Sequence, residues 1–369
     1  RKLSLFALSK DDSLTIKGIA ILLMIFHHAF GYMNHFPSDY LMSLDYPPIL
    51  VHQLWPYGGV CIALFAFVSG YGLFHRARVD VQNPVKTGIR HFLPFYGIYV
   101  FLLVVFSLLA LFWPSQRLQL PDSASAWLGA LGVLLPPYID WWYASLFLVL
   151  CVVCYPLNVW IMRMAGGWSL PALAGCMAGV VLYRHFVHYP LCFHIGHFLS
   201  MEASAECAFV QHVTKVLQYL PFFYFGFLSA IILSDERFSS LTQFFLFCCL
   251  GSFLIFVNVG MHWDYVCFVV MIVLLVPCLS RLTGRVGYGT LVVLGRYSVW
   301  MWLNHRLFIE YYLSDWLYSL PYWLMLSTTV VLSFMLAVLM DYVFRWWSRG
   351  CSWLLTVVRL RLNVGHREE

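Results

Sequence analysis

The stretch KGIAILLMIFHHAF, Lys17 to Phe30, is almost wholly apolar, yet it opens on a lysine and carries two adjacent imidazoles, His27 and His28. An α-helix turns about 100° per residue, so Lys17 and His28, eleven residues apart, differ by three turns plus roughly 20°, with a rise of about 16–17 Å. Both side chains leave the helix on one face. A lysine near a membrane surface reaches phosphate or water with its ammonium. An ionisable ring deeper in the same helix is costly unless it meets a cavity or a partner. The face bearing Ile21, Met24 and His28 is therefore expected to look into a bundle, and His27, about 100° away, to face a different neighbour. A further imidazole, His305, ends the apolar run LGRYSVWMWLNH (Leu294–His305). Its depth in its own run matches that of His28, and the two rings are expected to line one cavity. Imidazole is the side chain whose ordinary pKa lies near neutrality, which suits it to general acid–base work.

Membrane helices must position these groups. The 369 residues are 62% hydrophobic and 11% charged, against roughly 25% charged in soluble domains. The deficit runs the whole length, so residues 1–369 read as a single all-α, polytopic membrane domain. A crossing helix needs about 20 apolar residues. Ten such runs occur, at 16–34, 55–75, 92–113, 142–161, 168–184, 216–233, 241–258, 263–280, 291–312 and 321–344. A shorter piece, 126–137, ends in Pro136-Pro137 and reads as a surface or partly inserted helix. With ten crossings, Arg1, Lys2, Lys10, the loop holding Arg76, Arg78, Lys86 and Arg90, the turn with Arg163, the loop with Arg281 and Arg285, and the arginines from Arg345 onward share one side. The positive-inside rule makes that side cytoplasmic, with both termini on it. The opposite loops are rich in aromatics, and Trp113, Trp127, Trp141, Trp142, Trp263 and Trp316 are expected in an interfacial belt. The first apolar run lacks a small-residue cleavage site and reads as a membrane helix, with a few residues expected before Arg1.

Other motifs exclude more than they offer. The net charge of +5 follows topology and implies no nucleic-acid partner. Among the eleven cysteines, Cys151 and Cys154 form a CxxC inside an apolar run and read as buried free thiols. His185, His188, His194, His197 and His212, with Glu202 and Glu206, crowd the loop 185–215, but their spacing fits no metal signature; the loop reads as solvated, and no metal site is assigned. Arg306 and Glu310 stand at i,i+4 and are expected to pair. GRVGYG (Gly284–Gly289) reads as a turn between spans, since no strand precedes it. There is no GxSxG and no P-loop.

Lys17 to His28 resembles the first helix of the acyltransferase family 3 membrane proteins, whose hallmark is a basic residue, ten residues and a histidine. LFAFVSGYGLF (Leu64–Phe74) is similar to the family's FFxxSGY/F element, with Phe65, Ser69, Gly70 and Tyr71 matching and Ala66 replacing the second Phe. RHFLPFY (Arg90–Tyr96), WWYASLFLVLCVVCYPL (Trp141–Leu157) and LGRYSVWMWLNH resemble the third-helix entry, the HLWxL…YxxxPL helix and the late LGxxSxxIYLxH helix. The five pieces are collinear over about residues 12–310. The family's RxxR is not intact: Gly88 and His91 stand where it aligns, with Lys86 and Arg90 offset.

The resemblance implies transfer of an acyl group, usually acetyl from cytoplasmic acetyl-CoA, to a hydroxyl of an extracytoplasmic or lipid-linked glycan, in the bacterial inner membrane. On that reading His28 is the general base, with Lys17 and His305 in the catalytic set; an acyl-histidine intermediate remains open. Arg76, Arg78, Lys86, Arg90, Arg281 and Arg285, with Arg296, form a cationic face suited to coenzyme A phosphates. Ser69, Tyr71 and Asn304 are secondary hydrogen-bonding candidates. The competing class is a transporter or flippase of a glycan or lipid-linked substrate; its discriminator is internal symmetry, and the halves show no repeat.

Overall fold

The structure is a computed structural model that describes residues 7–31, 54–77, 83–113, 115, 118, 120, 127, 129–132, 141–165, 170–183, 205–235, 238–257, 263–282 and 284–365; side chains at 55, 56, 170, 205–212, 214, 256, 257, 263, 280–282, 284–287 and 350–365 lie outside the description. Every element among the described residues is helical. They are α1 (Lys10–Gly31), a 3-10 turn Trp55–Gly59 leading into α2 (Val60–Ala77), α3 (Pro84–Phe112), α4 (Tyr143–Val149), α5 (Tyr155–Met164), α6 (Leu170–Tyr183), α7 (Ala205–Ser234), α8 (Ser240–Val257), α9 (Trp263–Leu282), α10 (Gly284–Arg306), α11 (Ser314–Leu317) and α12 (Tyr322–Gly365). A π-turn, Leu150–Cys154, joins α4 to α5, and another, Leu307–Tyr312, follows α10.

A helix stands on each of the ten apolar runs. Among the described residues six stretches are long and apolar enough to cross a membrane: Lys10–Gly31, Tyr57–Ala77, Pro84–Phe112, Tyr143–Met164, Lys215–Ser234 and Tyr322–Arg349. Pro171–Tyr183, Ser240–Ile255 and Asp264–Leu279 are shorter apolar helices. The ninth run is outside both groups because α10 and its π-turn carry Arg296, Asn304, His305, Arg306 and Glu310. Protein covers three of these polar groups: Asn304, His305 and Arg306 are buried.

Several boundaries differ from the sequence reading, where capping or tertiary contacts overrule hydropathy. α3 starts at Pro84, so Lys86 and Arg90 are helical rather than in a loop. Asn83 caps it, its side chain accepting from the Lys86 N–H at 3.1 Å, with proline at the first position. α7 begins at Ala205 and so absorbs the end of the expected 185–215 loop. GRVGYG is helical, not a turn, because α10 is already packed on α1 there. Trp141 is buried against Tyr99 and Phe106 rather than interfacial. Trp113, Trp127 and Trp316 are exposed. Of the piece 126–137, residues 127 and 129–132 are described. Its carbonyls accept from Tyr99 (Ala130, 2.6 Å), Tyr96 (Leu131, 3.1 Å) and Ser145 (Gly132, 2.7 Å), which ties it to α3 and α4; Gly132 bends there at φ 70°.

Close backbone approach sets the bundle. A Cβ on Gly18 would strike the Leu291 carbonyl, and one on Gly295 the Leu14 carbonyl, so α1 and α10 meet where neither has a side chain. Gly70 of α2 and Gly226 of α7 meet the Phe223 and Phe67 carbonyls in the same way, and Gly88 of α3 lies on the Cys151 carbonyl in the π-turn. Small residues are the usual means of bringing membrane helices this close. Cys151 and Cys154 are free and buried. α1, packed by α2, α9, α10 and α12, runs through the middle.

Gly295→Leu is expected to separate α1 from α10, lowering the melting temperature of the detergent-solubilised protein by several degrees and removing activity, since overpacking costs about 1–3 kcal/mol or more. Gly179→Ala on α6, where nothing lies within 4 Å, should leave a fluorescence-monitored melt unchanged within about 2 °C.

Candidate active site

The site is laid out along α1. At its start Ser9 and Asp12 cap each other: the Asp12 N–H donates to Ser9 Oγ (3.1 Å) and the Ser9 N–H to Asp12 Oδ2 (2.8 Å). Asp12 Oδ1 also accepts from the Tyr288 hydroxyl of α10 at 2.8 Å. Just upstream, the Leu8 N–H donates to the Tyr71 hydroxyl of α2 at 3.0 Å. At the other end the Tyr318 hydroxyl donates to the Ala29 carbonyl at 2.8 Å. The Asp12–Tyr288 bond and the Gly18–Gly295 crossing hold α1 and α10 parallel in one register, while the Tyr71 and Tyr318 bonds fix the two ends of α1 to other parts of the bundle.

That register brings His28 to His305. His28 Nδ1 and His305 Nε2 are 2.5 Å apart, and the ring planes diverge by 6° with centroids 4.8 Å apart. So short an N···N contact between near-parallel planes lays the rings edge to edge. On the far edge, His305 Nδ1 lies 2.6 Å from the Trp302 carbonyl and 3.2 Å from that of Met301. A carbonyl only accepts, so Nδ1 of His305 carries a proton. With one proton per ring, His305 Nε2 then holds a lone pair and accepts from His28 Nδ1–H. His28 Nε2 is left as the nitrogen with the basic lone pair. A proton taken up there leaves both hydrogen bonds intact, and His305 faces the new charge with its acceptor nitrogen.

His305 is fully buried and His28 only partly, because His28 borders a cavity. Three cavities follow α1. The first, about 410 Å³ near its N-terminus, and the second, about 360 Å³, share Lys17, Ser69, His91 and Phe147 as walls. The second and the third, about 330 Å³, share Met24, Tyr143 and Trp302. His27 and His28 line the third; His305, expected to line it with His28, touches His28 but is on none of the three walls. Ile21 and Met24, on the same face as His28, are buried as the helical spacing predicts, while His27 packs its Cβ towards Gly58.

The remaining expected residues divide. Lys17, Arg76 and Arg90 border the second cavity. Lys86 is exposed on the first turn of α3 and is not on these walls; Arg296 is exposed on α10. Arg78 lies outside the described residues, as do His185, His188, His194, His197 and Glu202. Arg281 and Arg285 fall in α9 and α10 with undescribed side chains, like Glu206 and His212 in α7. His91, where the family pattern has an arginine, lines the first two cavities. Ser69 donates to the Phe65 carbonyl at 2.8 Å and stands 3.4 Å from the Tyr143 hydroxyl. Tyr71 lines the first cavity. Asn304 borders none of the three; its amide donates to the Ser333 carbonyl of α12 at 3.2 Å, a packing role. Arg306 and Glu310 pair as expected, at 2.6 Å, where the helix widens into its π-turn.

Sequence reasoning missed Tyr143, Trp302 and Lys215 as walls, and the Asp12–Tyr288 bond. Serine three residues before an aspartate ahead of an apolar run was a legible capping signal; nothing in the sequence marks Tyr288 as its partner.

A family model, Acyl_transf_3, described as an acyltransferase domain, matches residues 14–346. The chain belongs to this acyltransferase family. No curated protein and no solved structure gives a match. The family match takes in most of α12 as well as the motifs from α1 to α10, so the histidine pair and the residues lining the second and third cavities lie within the acyltransferase domain, in a multi-pass membrane protein.

Nitrogen-15 NMR of histidine-labelled protein in lipid should show both rings as the Nδ1–H tautomer, each resonance identified by its loss in His28→Ala or His305→Ala. An Nε2–H signal for His28 in the parent protein contradicts the proton inventory.

Proposed function

We propose that the protein moves an acyl group, acetyl in the first instance, from cytoplasmic acyl-CoA to a hydroxyl of an extracytoplasmic or lipid-linked glycan, with His28 Nε2 as the general base. The observation that carries the reading is the pair His28–His305 at one end of a file of cavities whose next member is bordered by Lys17, Arg76 and Arg90. A polyanionic donor and a neutral acceptor hydroxyl ask for that separation. The cations take phosphates, the slender pantetheine arm follows the central cavity, and the thioester reaches the imidazole about 16–17 Å along α1.

In the reaction His28 Nε2 takes the proton of the acceptor hydroxyl as its oxygen attacks the thioester carbonyl. His28 Nδ1–H keeps its bond to His305, which is fixed in turn by the Trp302 carbonyl. Collapse of the tetrahedral adduct breaks the C–S bond. The imidazolium returns its proton to the departing thiolate, so ester and free thiol form with no proton gained or lost. His305 is thus a positioning residue and Lys17 binds the donor. In this scheme the ten helical runs are ten crossings, both termini are cytoplasmic, and the membrane is the bacterial inner membrane. Positive loops on one side of the ten-run arrangement support that orientation.

His28→Ala is expected to lower acetyl transfer to glycan by at least about 10²-fold, within the usual range for general-base removal, at unchanged expression; undiminished acetylation refutes the role. Arg76→Ala and Arg90→Ala should raise KM for acetyl-CoA roughly tenfold with kcat little altered. An unchanged KM in both removes the phosphate-binding assignment.

A further inference from the structure

Among the described residues that line the cavity beside His28 there is one fixed cation, Lys215 of α7, and no carboxylate. The ammonium stands 5.8 Å from the centre of the Trp142 ring. No described carboxylate is in ion-pairing range of it. The indole seats the side chain by a cation–π contact but supplies no countercharge. Gln218, one turn further along α7, lines the same wall, and Tyr143, Tyr219 and Trp302 supply flat aromatic faces. At about 330 Å³ the space is at the low end for small-molecule sites, roughly 300–1,000 Å³, which suits one ring with its substituents rather than an extended chain. A lysine beside an aromatic plate, with no described carboxylate on its cavity wall, attracts an anion. In the proposed reaction the donor's phosphates have their own cations at Lys17, Arg76 and Arg90 on the neighbouring cavity, Lys17 lying about 16–17 Å from His28 along α1.

We infer that the acceptor is a sugar bearing an anionic group, carboxylate or phosphate, which Lys215 binds while a neighbouring hydroxyl meets His28 Nε2. The inference rests on the acyl-transfer reading for the hydroxyl and on the cavity alone for the anion. Aromatic faces orient the ring, Gln218 hydrogen-bonds its edge, and the charge fixes which hydroxyl reaches the base.

The test measures binding to the full chain carrying His28→Ala, in nanodiscs of zwitterionic lipid and without acyl donor. The probes are a glucuronate-capped disaccharide, its carboxyl methyl ester, and the same disaccharide carrying a phosphate monoester instead. Intrinsic tryptophan fluorescence reads binding. At least one charged probe should bind roughly tenfold more tightly than the ester, the size of one charge-assisted hydrogen bond. The preference should vanish in an added Lys215→Gln and persist in Lys215→Arg, and whichever charged probe binds better names the anion. Equal binding of all three probes, or a Lys215→Gln loss that falls equally on charged and neutral probes, overturns the inference. So does loss of the preference in discs of anionic lipid, because Lys215 then serves headgroups. Transfer assays with intact His28 and acetyl-CoA separate the two readings. Equal acetylation of acid and ester overturns the anion site alone, whereas a charged-probe preference without any acetylation overturns the acyl-transfer reading alone.

Discussion

Backbone-to-backbone contact between α1 and α10 at Gly18 and Gly295 is the constraint on which the rest of the molecule depends. Two parallel helices can slide or rotate; here sliding is opposed at both ends, by Asp12–Tyr288 and by His28–His305. The glycines bring the axes close enough for both short polar bonds to form at once. Without that approach the imidazoles lose each other, and the proton inventory that leaves His28 Nε2 basic has no basis. Gly70–Gly226 performs the same service for α2 and α7, which carry Ser69 and Lys215 to their cavity walls.

The sequence was legible where a period or a charge rule governs. The eleven-residue spacing put Lys17 and His28 on one face, and both line the file of cavities. The meeting of His28 with His305 was legible from their similar depth, because two parallel helices packed in register bring equal depths together. Helix ends were poorly legible. Asn83-Pro84 starts α3 eight residues before the apolar run, since capping chemistry and not hydropathy decides where a helix begins. GRVGYG folds as helix against local propensity because α10 is held on α1. Lys215 escaped notice because a lysine before an apolar run reads as a boundary marker, and only the fold shows that this exposed side chain also borders the cavity.

Ser69 and Asn304, both singled out by motif, come out differently for the same reason. Each is a small polar group in an apolar helix, and each has to bond something. Ser69 spends its hydroxyl proton on its own helix, at the Phe65 carbonyl, and still lines two cavities with its oxygen towards Tyr143. Asn304 spends its amide on α12. Adjacent in sequence to His305, it points the other way and anchors the helix that carries the histidine. A motif residue next to a working one can thus serve the scaffold only.

Many enzymes orient a working imidazole with a carboxylate. Here the second ring leans on the Trp302 carbonyl instead. The resting pair is therefore electroneutral and adds no ion to the Arg306–Glu310 pair that follows it on the same segment. In the proposed reaction, charge arises on the imidazoles only while the acceptor's proton is held. A carboxylate in place of His305 would instead oblige every newly made chain to carry an anion into the hydrocarbon, whether or not it ever met a substrate.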